Sequence, residues 1–263
     1  MVEYLAPAHE SQFPDQWYEL GRPDHFWFQW RLAATLALLK ELGIDAESPL
    51  RVLDVGAGGG ALRDQLEACT RWTIDVADLN AAALAQAREG RGRTLCYDVL
   101  RPHPDLVSAY DVVLLFDVLE HIDDRRPFLQ ATLRHVRPGG HLLMNVPAWQ
   151  FLYSAYDVAA GHVLRYRKAT LAAEMAGSDF EIRDMRYWGL LMVPLLLLRK
   201  WTVRRASSNN DCVRQGFEPP GAFVHAVLRL LARVETALLH RPPMGSSLLL
   251  AARKKSQASP AGG

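Results

Sequence analysis

A chain of 263 residues that is 49% apolar can bury a sizeable core, as one domain with an insertion. Its formal net charge of +1 leaves no surplus of cations to neutralise a phosphate backbone, which excludes nucleic acid as the default partner. Cys69, Cys96 and Cys212 are odd in number and share no metal-ligand spacing. They predict free thiols in a reducing, cytoplasmic compartment, with Cys69 and Cys96 as small buried side chains and with no metal site. The Met1-Val2-Glu3-Tyr4 start lacks the basic and apolar regions of a signal peptide, and no apolar run approaches the ~20 residues that span a bilayer.

Residues 1–23, with Pro7, Pro14, Gly21 and Pro23, read as an irregular arm, and Asp24 as the cap of a helix running to Leu42. That helix opens with Phe26, Trp27, Phe28 and Trp30 and continues with Leu36, Leu39 and Leu42 on one face; Gly43 ends it. Its second half reads as packing on a sheet, its aromatic first half as packing or as the wall of a substrate pocket. Residues 50–55 form an apolar run that breaks into Gly56, Gly58 and Gly60 just before helical spacing resumes over 61–68. Strand, tight turn and helix in that order bring backbone N–H groups close to the anionic end of a bound nucleotide or nucleoside. Gly56, Gly58 and Ala61 also satisfy the dinucleotide fingerprint, so a nicotinamide-dependent oxidoreductase is the nearest rival enzyme.

A second strand over 71–78 ends in Asp78, about 20 residues past the first glycine, where a carboxylate can accept hydrogen bonds from both ribose hydroxyls. Asp75, three residues earlier, reads as structural. Asn80 caps a helix over 81–88, and 94–99 reads as a third strand. Repeated strand-helix units imply a parallel sheet with helices on both faces. Residues 110–116 form a strand with almost no alternation, as burial on both faces requires, and Asp117 to Ile122 leave it at the carboxyl end, where such sheets bind ligands. A helix over 127–136, a turn at Pro138-Gly139-Gly140 and a fifth strand over 141–146 follow; 180–187 and 247–253 are strand-like. Asp54 lies inside a buried strand run, where an unpaired carboxylate is costly, so a ligand or backbone partner is expected.

The set of motifs from about Trp27 to Lys254 resembles the class I S-adenosylmethionine-dependent methyltransferases, in particular the broad small-molecule branch (types 11, 12 and 23). Val52 to Gly60 resembles the first motif of that family, Tyr110 to Asp124 the motif at its fourth strand, and Leu133 to Leu142 the turn before its fifth. The resemblance implies a Rossmann-like, mostly parallel seven-stranded α/β sheet with an antiparallel last strand. It implies S-adenosylmethionine as cofactor, with Asp54, Gly56, Gly58 and Gly60 at its amino acid end, Asp78 and Leu79 at the ribose, and Asp98 and Val99 at adenine; Asp117 reads as a contact to the cofactor amino group or methyl-bearing region, or as a cap of the turn after the strand. A subgroup pattern, Gly-His-x-Arg-Arg-Tyr, is matched by Gly161 to Tyr166 except at Leu164, so a role needing two adjacent guanidinium groups is not implied.

Methyl transfer from a sulfonium needs its reactants held in line, and a proton acceptor only when the nucleophile is a hydroxyl or a protonated amine. His121 and His162 are the candidate bases, since imidazole titrates near working pH; Tyr166 and Arg165 are candidates to fix a substrate oxygen or anion, with Tyr166 read equally as a core side chain. Trp188 to Trp201 is the most apolar stretch, too short to span a bilayer, and reads as a helix with an internal Pro194 that is apolar on every face. It begins a helical insertion, about 188–245, read as a lid helix packed on the sheet and on Phe223 to Leu239, as the roof of a pocket for a small, lipophilic acceptor, or as a peripheral membrane contact through 188–205 with Trp201, Arg199, Lys200, Arg204 and Arg205 at the interface. The domain then spans 24–254, with a loop over 206–221 and a disordered tail over 255–263. A non-catalytic cofactor-binding or partner module of the same fold is the other alternative.

Overall fold

The structure is a computed structural model and describes residues 1–8, 24–202 and 221–256. Residues 206–220 of the loop expected over 206–221, Cys212, Arg204, Arg205, the Trp201 side chain and 257–263 of the tail lie outside the described residues.

The chain opens with β1 (Val2–Tyr4), then α1 (Phe26–Leu42), β2 (Arg51–Val55), α2 (Ala61–Glu67), β3 (Thr73–Asp78), α3 (Ala81–Leu84), β4 (Thr94–Cys96) and β5 (Tyr110–Phe116). It continues with α4 (Arg125–Leu133), β6 (Val136–Pro147), α5 (Ala155–Ala159), α6 (Lys168–Glu174), β7 (Phe180–Trp188), α7 (Val193–Thr202), α8 (Gly221–Leu238) and β8 (Ser247–Lys254). One eight-stranded sheet runs in the order β1-β4-β3-β2-β5-β6-β8-β7, and β8 is antiparallel to both of its neighbours. The eighth strand comes from the expected arm: Val2 to Tyr4 pair in parallel with Thr94 to Cys96, so the start of the arm is sheet edge.

Three smaller expectations also change. The α1 cap is His25, not Asp24: His25 Nδ1 accepts from the Trp27 N–H at 3.3 Å. The strand expected over 94–99 stops at Cys96, so Asp98 and Val99 lie just past its end, and the helix expected over 81–88 closes after Leu84. Cys69 is exposed after α2, while Cys96 is buried as expected.

The two sheet faces carry two cores, which follows from the period-2 alternation of a strand. Leu53, Val55, Val113, Leu115, Leu248 and Leu250 pack on one side, with Leu129 of α4 and Leu171 of α6. Val52, Val112, Leu114, Phe116, Leu249 and Ala251 pack on the other, with Trp30, Leu38 and Leu39 of α1 and with Val193, Leu196, Leu228 and Ala232 of the insertion. Pro194 sits in the first turn of α7, where its missing N–H costs no helical hydrogen bond, so it starts the helix and does not interrupt it. The described part of 188–205 therefore packs onto the sheet through Met192, Val193 and Leu196. No helix among the described residues is long and apolar enough to cross a membrane.

Glu235 of α8 fastens the insertion to the end of β7. It is buried, and its two carboxylate oxygens accept from the Gly189 N–H at 2.6 Å and the Leu191 N–H at 2.9 Å. Glu235→Ala leaves two amide donors without that acceptor and lowers unfolding stability by about 1–3 kcal/mol, read as a lower urea midpoint at unchanged slope.

Candidate active site

The chain builds β2, β3 and β4 outward in one direction and then crosses to β5 on the other side of β2. That reversal leaves a crevice at the carboxyl ends of β2 and β5, the place where open α/β sheets take ligands. Gly56 follows β2 with φ 72°, its N–H donating to Ala77 O at 2.8 Å. A Cβ there would lie 2.5 Å from Val118 Cγ2, so only glycine lets this turn lie against the segment leaving β5. Asp78, at the tip of β3, clasps the turn: its carboxylate accepts from the Gly58 N–H and the Asn80 N–H, each at 2.8 Å. Burial raises its pKa, against the pull of those backbone donors. Leu79 is half-buried beside it. Asp98 accepts the Leu100 N–H at 2.9 Å, closing the turn after β4, and Val99 is buried.

Asp54 is buried as the next-to-last residue of β2, and its Oδ2 has no hydrogen-bond partner. Burial pushes its carboxyl from the ordinary 3.8 up to about 7, a rise that Arg31 and Arg63 oppose. Asp75, by contrast, is fully occupied, accepting from the Arg93 N–H at 2.7 Å and the Tyr110 hydroxyl at 2.8 Å, and is structural as read.

Asp117 leaves β5 with φ 58°, a left-handed conformation that Asp adopts more readily than most L-residues and that its surroundings fix here. Three contacts do so. Its N–H donates to Asn145 O at 2.8 Å, Asn145 Nδ2 donates to Oδ1 at 2.6 Å, and Arg31 Nη1 donates to Oδ2 at 2.6 Å. Arg31 is itself packed against the rings of Trp27, Phe28 and Phe116 at 5.0, 4.9 and 5.6 Å. The aromatic first half of α1 thus both packs in the core, through Phe26 and Trp30, and lines the crevice, through Trp27 and Phe28.

Beyond Asp117 opens a cavity of about 180 Å³, whose lining includes Trp27, Phe28, Glu120, His121, His162 and Arg199. His121 and His162 meet edge to face with ring centroids 4.8 Å apart. His121 Nδ1 lies 3.2 Å from Gly161 O; a carbonyl only accepts, so Nδ1 carries the proton and Nε2 is the basic nitrogen. Burial, helped by His162, pushes this imidazole down to about 3 and keeps it neutral. His162 Nδ1 lies 2.9 Å from Asp157 Oδ1. Asp157 is buried, and although burial opposes its charge, the His162 and Arg165 hydrogen bonds hold its carboxyl well below the usual range. Its other oxygen accepts from the Ser154 N–H at 2.8 Å. Asp157 therefore fixes the His162 tautomer and leaves Nε2 basic.

Tyr166, expected at the site, lies in the core instead. It is fully buried, pairs through its backbone with Pro147 and Trp149, and does not line the cavity. Burial pushes its phenol up, so it is a neutral core side chain. Arg165 does line the cavity, with its Nε donating to Asp157 at 2.8 Å. Sequence reasoning assigned nothing to Glu120 or Asp157 and expected no metal ligands. Glu120 is buried, its pKa driven well above the ordinary value by burial and by Asp117, and its Oε2 has no hydrogen-bond partner. Glu120, His121 and His162 offer ligand-type atoms that all lie within 4.8 Å of one another, an arrangement able to hold a divalent cation. The adjacent Glu-His pair and the five-residue spacing of Asp157 and His162 were the available signals.

Residues 26–184 match the family model described as Methyltransferase domain. Among curated proteins, a Pectobacterium atrosepticum ubiquinone biosynthesis O-methyltransferase is 38% identical over 112 residues, 38% of this chain and 45% of that protein. A Thiobacillus denitrificans protein of the same name is 31% identical over 154 residues, 51% of this chain and 65% of the other. The chain spans about half the length of the curated relatives it matches. Among solved structures, the N-methyltransferase NodS of Bradyrhizobium japonicum, in complex with S-adenosylhomocysteine, superposes with a TM-score of 0.52 at 15% identity, over 92% of this chain and 93% of that one. The [4+2]-cyclase SpnF superposes with a TM-score of 0.53 at 18% identity, over 84% and 82%. These likenesses share the fold, and the nicotinamide-dependent alternative is not favoured. With a match that covers more than half of its length, the chain belongs to the methyltransferase domain family.

Proposed function

We propose that this chain transfers a methyl group from S-adenosylmethionine to a small, lipophilic acceptor bearing a hydroxyl. The observation that carries the reading is Asp54, a buried carboxylate with an orphaned oxygen beside a glycine turn that a single Cβ would block. A cationic or hydrogen-bonding ligand at the carboxyl edge would relieve it. The residues fit the adenosyl cofactor. Asp54 with Gly56, Gly58 and Gly60 would hold its amino acid end, Asp78 and Leu79 its ribose, and Asp98 and Val99 its adenine. Asp117, with both oxygens engaged, would set the floor between cofactor and acceptor.

When bound, the cofactor supplies a methyl group already activated on sulfur. The chain's task is to orient and to exclude water, and orientation alone is worth ~7–11 kcal/mol of barrier. Phe28, Trp27 and Leu196 give the cavity its apolar wall. His162 Nε2 takes the acceptor's proton, with Asp157 stabilising the imidazolium that results. The relatives' names support oxygen as the nucleophile. A peripheral lipid contact for 188–205 belongs to the same reading, because α7 turns Leu195, Leu197 and Leu198 outward while its inner face roofs the cavity. A second reading has Glu120, His121 and His162 hold a divalent cation that lowers the acceptor's pKa in place of a base; the convergence of the three side chains supports it.

Calorimetry checks the cofactor assignment: S-adenosylhomocysteine binds saturably, NAD does not, and Asp78→Ala weakens binding by ~1.5–3 kcal/mol, the worth of a hydrogen bond to a charged group. For catalysis, His162→Ala and Asp157→Asn lower methyl incorporation from labelled S-adenosylmethionine into a lipid extract about 10²–10⁴-fold at unchanged S-adenosylhomocysteine affinity. Loss of turnover on chelation with recovery on adding back Mg²⁺, Mn²⁺ or Zn²⁺ selects the cation reading; indifference to chelation selects the base. Asp54 makes the cofactor-free protein pH-sensitive. Its raised pKa means that its neutral form contributes stability fully below about pH 4, and that this is lost as pH rises toward about 7. Asp54→Asn removes that dependence, so its urea midpoint exceeds that of the natural chain by more at pH 8 than at pH 5.

A further inference from the structure

Helix α8 is apolar on both sides. Leu228 and Ala232 pack inward on the core shared with α1, and Glu235 is buried at the end of β7. The opposite face carries Phe223, Val227, Leu230, Val234 and Leu238, spaced by three or four residues and therefore aligned along one stripe. All five are exposed, Phe223 by 81% and Leu238 by 73%. Such a stripe marks an interaction surface.

The charges select the partner. Arg229 and Arg233 are exposed along one edge of the stripe, while the helix's single carboxylate, Glu235, is buried and occupied by two backbone amides. A second copy meeting this face would bring no carboxylate on α8 to those arginines. An anionic, apolar-cored plane satisfies both the stripe and its edge. The place suits it too: the Phe26 N–H donates to His225 Nε2 at 3.1 Å, joining α8 to the turn of α1 that walls the cavity.

We infer that the outer face of α8 docks on an anionic lipid surface, with Phe223, Val227, Leu230, Val234 and Leu238 at the acyl boundary and Arg229 and Arg233 among the headgroups. The inference rests on the reading of the insertion as lipid-facing and moves its anchor from α7 to α8. Methyl transfer itself does not depend on it.

The test is co-sedimentation of the full chain with vesicles of equal parts phosphatidylglycerol and phosphatidylcholine, and with phosphatidylcholine alone. The chain pellets with the anionic vesicles; Leu230→Glu with Val234→Glu weakens this at least about tenfold. Arg229→Gln and Arg233→Gln each weaken it about fivefold, from ~1 kcal/mol per cation near the surface. Unchanged S-adenosylhomocysteine affinity and circular dichroism in each variant keep folding out of the comparison. Equal pelleting with both vesicle types, or none with either, overturns the inference. So does loss of binding on Leu197→Glu with Leu198→Glu while the α8 variant still binds, which leaves the earlier reading of 188–205 standing. A vesicle-free dimer that Leu230→Glu with Val234→Glu dissolves assigns the face to a second copy and overturns it as well.

Discussion

A buried acid near the end of its strand governs the carboxyl edge of this protein. Asp54 is flanked by Leu53 and Val55 along its own strand and aligned with Val76 and Leu114 across it, so water reaches it poorly and its charge is disfavoured. A stability-driven sequence would place valine there. The surrounding geometry keeps the cost local: Asp78 ties the glycine turn to β3, and Arg31 offers a distant positive field without a bond. The cradle is thereby formed in advance and left electrostatically incomplete, a condition that a bound cation or donor relieves.

Asp117 shows how the second half of the site is held to the first. Its left-handed backbone aims it between Arg31 and Asn145, and Asn145 in turn accepts from the Trp188 indole at 2.8 Å. One chain of contacts thus runs from α1 through the tip of β5 and through β6 to the end of β7, with each link polar and mostly buried. Such a network specifies geometry more than it adds stability, because each member is costly only when another is missing. The polar heart of the cavity continues it: Asp157 stays ionised between His162 and Arg165, while Glu120 and His121, a few ångströms away, are held neutral by burial.

What could be read from residues alone was what depends on neighbours in the chain. The glycine turn, the unbroken apolar run of β5 and the alternating cores announce themselves over windows of five to ten residues, and Asp54 and Asp78 fall at strand positions, and Asp117 just past a strand end, that such windows locate. Residues whose meaning comes from distant segments were harder. His121 and Gly161 meet across forty positions, and the convergence of Glu120, His121 and His162 exists only once β5 and the segment after β6 share an edge. Tyr166 stood open between site and core because a motif position does not reveal that its backbone joins Ala148 and its ring faces the core. β1 was missed since three residues carry no periodicity, and its partner strand supplies the reason for its form.

The register between β7 and β8 has a wider reach. Trp188 pairs with Ser247, so the whole excursion containing α7 and α8 leaves and re-enters the sheet at one rung of an antiparallel ladder. Closing a longer excursion at that rung is inexpensive, since each doubling of loop length costs only about 0.6 kcal/mol. The excursion can be lengthened, shortened or re-decorated by evolution without a single change in the strands that carry Asp54 and Asp78, which makes this wall of the cavity a separable trait of the architecture.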